Sequence, residues 1–357
     1  GDLRYYAVLE FDRFGNLYIL YGVVGGGNTT VVLLQSADGG ATFGNLRIQA
    51  QGTGFAYDEF NLATGLEPVT GGEAVYAAFV SFAVVPSPIV VNGCISTGLG
   101  NLGPPFAPPA APVVVTDGVA PSLQWQLAYP EVDPSGGLCV SFADIPLGAG
   151  PAPMSIYFDR DPDGLWNGTN GFGTDRLIAS TNVGWKTFIP PQPERGIGAH
   201  PQLVCVRAGP HTGRLLLCYT EEIPDDQTAQ FSGNPTPNSN TLVVARISDD
   251  QGATWGPTIP VHTDTPEHQF LHWLGCDPVT GELYVTWYDC REDPANVLTQ
   301  RMSASSPDGV TWTPALLLSQ GQSSAVGNLG QDYLNNCGPA AHDGCVWACW
   351  SDFSDFL

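Results

Sequence analysis

The chain has 357 residues and a formal net charge of −23, although charged residues make up only 13% of it. A surface this acidic repels phosphate backbones and anionic lipids, so we expect neither nucleic-acid binding nor membrane insertion. The 43 glycines and 31 prolines argue against a helical bundle and favour an all-β protein with many turns.

A strand–turn–strand unit recurs along the chain. Its first copy runs from Tyr5 to Phe11, turns at 12–15 and returns over 16–21. The other copies centre on 72–82, 133–142, 213–219, 270–288 and 343–350. The six copies lie roughly 60–75 residues apart, a period that suits a four-stranded antiparallel sheet, the blade of a β-propeller. We therefore expect six blades.

The expected blades together form a single β-propeller domain. The first blade is predicted to use strands at 5–11, 17–23, 29–35 and 45–49. The predicted blade boundaries are roughly 1–52, 53–118, 119–183, 184–262, 263–320 and 321–357.

A second pattern follows three of the hairpins and combines a serine, an aspartate, a glycine and a closing aromatic residue. The aspartate can accept hydrogen bonds from turn N–H groups, and the glycine permits a positive φ. The aromatic side chain can pack onto the sheet. The members are Ser36, Asp38, Gly40 and Phe43; Ser248, Asp250, Gly252 and Trp255; and Ser306, Asp308, Gly309 and Trp312, in a copy that is one residue shorter.

These three segments resemble the Asp-box, or BNR, repeat of the sialidase superfamily. Together with the hairpins, the resemblance covers nearly the whole chain. It implies a six-bladed propeller in which each box forms the turn between the third and fourth strands of a blade. The resemblance therefore implies a structural role for Asp38, Asp250 and Asp308, not a catalytic one.

The last blade is predicted to be incomplete. A first strand near Tyr333 and a second strand at 345–350 are the only strands expected before Leu357. Three explanations stay open: the natural chain is longer or was processed, the blade is reduced, or another chain supplies the missing strands. The third explanation predicts self-association through the open last blade, because an open edge exposes unpaired backbone groups.

Nine cysteines without a Cys-x-x-Cys pair favour disulfides in an oxidising compartment over a zinc site. Because nine is odd, at least one thiol stays unpaired within the chain or bonds to another chain. Cys205 and Cys218 flank one hairpin turn, and Cys337 and Cys345 flank another. Each of these pairs is a candidate cross-strand disulfide.

Two sequons, at Asn28 and Asn167, permit N-glycosylation. The chain begins at Gly1 without a signal peptide, as the processed product of a secreted precursor would. Together with the cysteines, these features predict an extracellular or cell-surface protein that is secreted.

Loops on one face of the predicted propeller are acidic. They include residues 57–59, 221–226, 288–293 and 331–333. Clustered carboxylates suit Ca²⁺, and the candidate ligands are Glu221, Glu222, Asp225 and Asp226. The alternative is that these four residues form a solvated loop. No other cofactor is predicted.

The sialidase resemblance also implies three converging arginines, a tyrosine nucleophile paired with a glutamate, and an aspartate acid/base. The Arg-Ile-Pro motif of that family is absent. The candidate catalytic residues are Glu221, Glu222, Asp289, Arg291 and Tyr333. For Asp289 and Arg291 the alternative is an ion pair that orders a loop.

The absent arginine motif and the acidic loop face favour a non-catalytic extracellular β-propeller. Such a protein would be a structural subunit of a surface assembly or filament, or a carbohydrate-binding module with a glycan ligand. The alternative is an exo-glycoside hydrolase of the sialidase type, and the sequence leaves open whether the chain is an enzyme.

Overall fold

The fold is built from β-strands. The computed structural model describes residues 3–117, 125–145, 153–165, 171–184, 187–222, 240–262, 267–327, 332–333 and 338–354. None of these residues belongs to an α-helix, which confirms the all-β prediction. No helix in the described ranges could therefore span a membrane.

Two antiparallel sheets form the N-terminal part of the chain. The first contains β1 (Leu3–Phe11), β2 (Leu17–Gly25), β3 (Asn28–Ser36) and β4 (Gly44–Thr53), in that order. The second contains β5 (Tyr57–Leu66), β6 (Glu73–Ser81), β7 (Ile89–Gly98) and β8 (Asn101–Pro105), and β9 (Val113–Val114) also pairs with β7. The four strands predicted for the first blade are confirmed.

Three further sheets have four strands each. They contain β10 (Trp125–Val132), β11 (Leu138–Asp144), β12 (Met154–Asp161) and β13 (Arg176–Thr181); β16 (Gln202–Cys205), β17 (Leu215–Glu222), β18 (Thr241–Ser248) and β19 (Ile259–Pro260); and β20 (Gln269–Cys276), β21 (Leu283–Asp289), β22 (Gln300–Ser306) and β23 (Leu316–Leu317). Sequential strands are neighbours in every one of them, as a meander requires.

Two small sheets have two strands each: β14 (Thr187–Ile189) with β15 (Gln192–Ile197), and β24 (Pro339–His342) with β25 (Cys345–Ala348). The second lies in the region of the predicted incomplete blade. The strand that pairs with β25 starts at Pro339, whereas Tyr333 lies in a turn. The prediction of a first strand near Tyr333 is therefore wrong.

The chain divides into two compact units, residues 1–144 with 157–178 and residues 145–156 with 179–357. The first unit has two apolar clusters, one around Tyr76 and Phe142 and one around Phe60 and Phe79. The second unit has clusters around Trp287 and around Tyr333. The blade boundaries and the single propeller domain stay predictions.

Non-glycine residues with positive φ recur at about the same spacing as the predicted blades. Six of the eleven non-glycine residues with positive φ in the described ranges recur at intervals of roughly 50 to 75 residues. Four of the six are the third or fourth residue of a strand, one lies just before a strand and one lies in a turn. The six are Tyr6, Glu59, Leu127, His200, Leu271 and Asp332. At four of them the strand pairing also shifts register, as a β-bulge does. Such bulges turn side chains away from their regular alternation, and they set the position of Glu59 described below.

Candidate functional site

The predicted pair Asp289 and Arg291 forms a closed ion pair at the end of β21. Arg291 donates from Nε to Asp289 Oδ1 at 2.9 Å and from Nη2 to Oδ2 at 2.7 Å. Trp287 Nε1 donates to the same Oδ2 at 2.8 Å. Both carboxylate oxygens of this buried side chain are therefore bound within its own strand and loop. The geometry matches the loop-ordering alternative.

Tyr333 lies inside an aromatic cluster and not at an open site. Its side chain is fully buried, and its ring centroid lies 4.3 Å from that of Tyr288 and 5.7 Å from that of Phe353. Its hydroxyl accepts a hydrogen bond of 2.8 Å from Thr299 Oγ1. Burial raises the pKa of Tyr333 to about 12, so the phenol stays neutral near neutral pH.

Glu221 and Glu222 end strand β17. Glu221 accepts hydrogen bonds from the Thr181 hydroxyl at 2.8 Å and from the Glu222 N–H at 3.1 Å. Burial raises the pKa of Glu221, and these bonds only partly oppose the shift. Asp225 and Asp226 lie outside the described residues, so the Ca²⁺ site stays a prediction. Within the described ranges no three His, Cys, Asp or Glu side chains are grouped to hold a metal ion.

The first Asp-box segment forms a tight turn between β3 and β4. Asp38 Oδ1 accepts hydrogen bonds from the Ser36 hydroxyl at 2.7 Å and from the Thr42 N–H at 2.8 Å. Ser36 Oγ accepts the Gly40 N–H at 2.9 Å. The bonds from Thr42 and Ser36 lower the pKa of Asp38 to about 2, which keeps its carboxylate charged.

The other two segments repeat this arrangement between the third and fourth strands of their sheets. Asp250 accepts the Thr254 N–H at 2.8 Å, and Asp308 accepts the Thr311 N–H at 2.8 Å. In the shorter copy Ser306 Oγ accepts the Gly309 N–H at 2.8 Å. All three aspartates therefore hold turns together. Of the closing aromatic residues, Trp312 packs against the core of the second unit, Trp255 is half-buried and Phe43 is 41% exposed.

The register between β16 and β17 contradicts one predicted disulfide. Cys205 lies opposite Leu215, and Cys218 lies opposite Gln202. The two cysteines are therefore offset by three positions and point to opposite faces of the sheet. Cys337 lies outside the described residues, so its bond to Cys345 is untested.

The two sequons differ in what the structure describes. Asn28 is exposed at the first residue of β3, where a glycan would reach solvent. Asn167 lies outside the described residues. Glycosylation at either residue stays a prediction.

A buried carboxyl in the first unit was not among the candidates. Residues 57–59 were expected on the acidic face, but nothing in the sequence singles out Glu59. Its side chain is 9% exposed, and its Oε2 accepts the Leu127 N–H at 2.7 Å. Glu59 and Leu127 both have positive φ, and each lies at the bulge of its strand.

One further acid, Asp58, and two tyrosines, Tyr6 and Tyr129, belong to the electrostatic surroundings of this carboxyl. Burial raises the pKa of Glu59 to about 7; the Leu127 N–H opposes that shift and Asp58 adds to it. Burial raises the pKa of Tyr6 well above 10, with contributions from Tyr129, Glu59 and Asp58. A carboxyl that is half protonated near pH 7 can donate or accept a proton, which is the requirement for general acid–base chemistry.

A shallow groove of about 510 Å³ opens in the second unit and is called here the Arg291 groove. Its lining combines charged, amide and apolar side chains with one glycine: Arg291, Glu292, Gln300, Met302, Leu317, Gly321 and Gln322. The ion pair with Asp289 fixes the guanidinium of Arg291 at this groove. A fixed guanidinium in a groove that also has amide and apolar side chains suits a small polar ligand such as a sugar.

Comparison with known proteins identifies a fold but not a family. No family model matches the chain, and neither does any curated protein sequence. An ulvan lyase, a polysaccharide lyase bound to a -[GlcA(1-4)Rha3S]- oligosaccharide, superposes with a TM-score of 0.52 at 11% identity over 97% of this chain and 76% of its own.

Two other structures align less closely. The α-L-arabinanase of Penicillium chrysogenum has a TM-score of 0.42 at 15% identity over 74% of this chain and 69% of its own. The intramolecular trans-sialidase of Ruminococcus gnavus has a TM-score of 0.36 at 11% identity over 89% of this chain and 71% of its own. The similar structures are β-propeller folds.

Proposed function

We propose that this chain is a secreted, six-bladed β-propeller of the Asp-box type that binds a carbohydrate without cleaving it. The observation that carries the proposal is the Arg291 groove, in which Asp289 holds the guanidinium and Leu317 presents an exposed apolar side chain. The recurring positive-φ residues support the count of six blades.

The lining of the groove matches the surface chemistry of a sugar ring. Arg291, Gln300 and Gln322 present planar donor and acceptor groups that pair with vicinal hydroxyls, as amide and guanidinium groups do in polar ligand sites. Leu317 supplies apolar surface on which the C–H face of a sugar can pack. Leu317 is 47% exposed, so this surface is open to a ligand.

The residues predicted for catalysis support binding over cleavage in this unit. Asp289 uses both carboxylate oxygens for Arg291 and Trp287, so neither oxygen is available to attack or protonate a glycoside. Tyr333 is fully buried, and its hydroxyl is engaged by neighbouring groups that include the Thr299 hydroxyl. A nucleophile needs access to the anomeric carbon, and Tyr333 lacks it.

A glycan array followed by titration calorimetry tests this proposal. For the best glycan, Gln300→Ala should weaken binding about tenfold, the loss expected for one or two hydrogen bonds. Gln51→Ala removes an exposed amide in the first unit and should leave the affinity unchanged. Binding to no glycan on the array, or equal affinities for all three proteins, would contradict carbohydrate binding through this groove.

A glycoside hydrolase is the second candidate, and Glu59 is the observation that favours it. This buried carboxyl lies close to Asp58 and Tyr6. Glycoside hydrolysis needs a carboxylic acid that protonates the leaving oxygen and a second group that attacks or activates water. Glu59 would be the acid, because its raised pKa keeps part of it protonated at pH 7. Since this side chain is buried, turnover would require its surroundings to open to the substrate, as a tyrosine nucleophile at Tyr333 would.

Hydrolysis assays separate the two candidates. Sialosides, arabinosides and other glycosides should be incubated with the native chain and with Glu59→Gln. An enzyme of this kind loses about 100-fold or more in kcat with Glu59→Gln and loses activity as the pH rises above about 7. No turnover of any glycoside by the native chain leaves the binding function as the only candidate.

The proposal also includes Ca²⁺ at Glu221, Glu222, Asp225 and Asp226. A cation held by these oxygens would stabilise the folded chain through linkage. Thermal unfolding should therefore shift to higher temperature with added Ca²⁺ and return with a chelator. If neither Ca²⁺ nor the chelator changes the unfolding temperature, the metal is removed from the proposal.

A further inference from the structure

The hairpin of β24 and β25 has an open outer edge. One side of β25 pairs with β24, and no strand of the described ranges pairs with its other side. Every residue from Cys345 to Trp347 is exposed; Trp347 is 60% exposed and Val346 39%. Large apolar side chains on an unpaired edge form a surface that can pair with another strand.

The turn of this hairpin fixes which backbone groups point outward. Asp343 and Gly344 form a two-residue loop with φ of 49° and 77°, as in a type I′ turn. The residues that flank such a loop, His342 and Cys345, exchange hydrogen bonds with each other. Alternation along β25 therefore directs the N–H and C=O groups of Val346 and Ala348 toward the open edge.

Two exposed thiols are placed symmetrically about Trp347. Cys345 and Cys349 lie two residues before and two residues after it, and both are free and exposed. In an extended strand, residues two apart share a face, so Cys345 lies on the same face as Trp347. Cys349 is the first residue after β25 and shares that face when the strand is extended by one residue. Four residues of extended chain separate their Cα atoms by about 13 Å, too far for a disulfide between them.

We propose that β25 pairs antiparallel with β25 of a second copy of this chain, centred on Trp347, and that two disulfides join Cys345 of each copy to Cys349 of the other. In this register Val346 of one copy lies opposite Ala348 of the other, and their outward backbone groups form the hydrogen bonds.

The cysteines then fall at the positions where a cross-strand disulfide fits. Cys345 and Cys349 of the other copy form a non-hydrogen-bonded pair, in which Cα atoms lie about 4.5 Å apart. That separation falls within the range of about 4.4–6.8 Å that disulfides require. The outward direction of the Val346 and Ala348 backbone groups, the open edge and the cysteine spacing therefore all favour this register.

A second copy fits this edge better than an unrelated strand does. The register is two-fold symmetric, so each copy contributes the same backbone groups and both members of each disulfide. The two Trp347 rings meet on the symmetry axis as a cross-strand aromatic pair. Each copy carries a net charge of −23, which opposes association and makes covalent links effective in holding the pair.

Formation of the two disulfides needs an oxidant, and oxidised glutathione supplies it. Each new S–S bond removes two thiol protons and two electrons from a Cys345–Cys349 pair. One molecule of oxidised glutathione takes up those electrons and protons and leaves as two molecules of reduced glutathione. Two disulfides therefore consume two molecules of the oxidant.

Oxidation of two single-cysteine variants, separately and mixed, tests the register. The full-length chain, Cys345→Ser and Cys349→Ser are each incubated with oxidised glutathione and separated without reductant. We expect a covalent dimer from the native chain and roughly tenfold less from either variant alone, because each lacks one partner of every bond. An equimolar mixture of the two variants should restore a dimer with one disulfide.

Peptide mapping identifies the bonds directly. Cleavage before aspartate releases residues 343–351, which contain both cysteines, separately from the peptide that contains Cys337. Two copies of 343–351 joined to each other support the proposal. A monomeric native chain, a bond between Cys337 and Cys345, or as much covalent dimer from either single variant alone as from the native chain would overturn it.

A proline variant separates strand pairing from chance oxidation. The N–H of Val346 points to the open edge, so Val346→Pro removes a bond between copies and leaves the hairpin bonds to β24 intact. This variant keeps both thiols, yet it should form the dimer about tenfold more slowly than the native chain. An unchanged rate would show that the thiols react without pairing of the strands.

Discussion

Two buried acids, Asp289 in the second unit and Glu59 in the first, differ in the charges around them. Asp289 is 1% exposed and receives two bonds from a guanidinium and one from an indole. Glu59 is 9% exposed and receives one backbone N–H, with a second acid beside it.

The difference shows that burial alone does not make a carboxyl reactive. A buried acid whose two oxygens bind an arginine two residues away orders a loop. A buried acid next to another acid is easier to protonate, because burial and repulsion both disfavour the charged form. Glu59 is therefore the better candidate for proton transfer, although Asp289 is the one that the sequence pattern favours.

The largest expected effect comes from removing the counter-ion of Asp289. Arg291→Met leaves a buried carboxylate without its cation and should lower the free energy of unfolding by about 3–5 kcal/mol. Denaturant unfolding at pH 7 measures the change. Asp249→Asn is the control, because Asp249 is 64% exposed in its pair with Arg214 and its loss should cost less than about 1 kcal/mol.

Equal losses of unfolding free energy from Arg291→Met and Asp249→Asn would contradict the proposed difference between the two acids. They would mean that the Asp289 pair contributes no more than a surface pair does. The charge at Asp289 would then be solvated, and its assignment as a closed structural pair would be wrong.

A smaller effect with the opposite sign is expected at Glu59. Its pKa is raised from about 4.5 unfolded to about 7 folded, so the folded chain binds the proton more tightly. Stability from this group is complete below pH 4.5 and falls as the pH rises to about 7, by about 3 kcal/mol at most. Glu59→Gln should match the native stability near pH 4 and exceed it by up to that amount at pH 8.

Unfolding free energies at pH 4 and pH 8 check this expectation. Glu292→Gln removes one acidic charge from an exposed position and serves as the control for net charge. If Glu59→Gln and Glu292→Gln changed stability equally at both pH values, Glu59 would have an ordinary environment, and the hydrolase candidate would lose its support.

The Asp-box turns could be predicted from the sequence because their contacts are local. Asp38 bonds to Ser36 and Thr42, which lie within four residues of it. The strands of the first sheet were equally readable, since alternation and turn residues define them. The region around Tyr333 was mispredicted as a strand. Tyr333 lies in a turn, and its ring packs into an aromatic cluster with Tyr288.

The environment of Glu59 depends on long-range contacts, which a local sequence pattern does not predict. Its hydrogen-bond donor, Leu127, is 68 residues away in the chain. Its positive φ is unusual for glutamate, so the bulge could not be predicted from the residue type. The Cys205–Cys218 prediction was wrong for a related reason: both residues flank one turn, but the register sets their faces, and spacing alone does not determine that register.

The smallest expected effect concerns Tyr333 and tests whether the second unit lacks a tyrosine nucleophile. Tyr333→Phe keeps the ring packing against Tyr288 and removes the hydroxyl, with its bonds to Thr299 and Ser323. Stability should fall by about 1 kcal/mol, and glycan affinity should stay unchanged. A loss of hydrolysis by 100-fold or more with unchanged stability would instead identify Tyr333 as a reacting group. Because the hydroxyl is buried, that outcome would require the aromatic cluster to open during turnover.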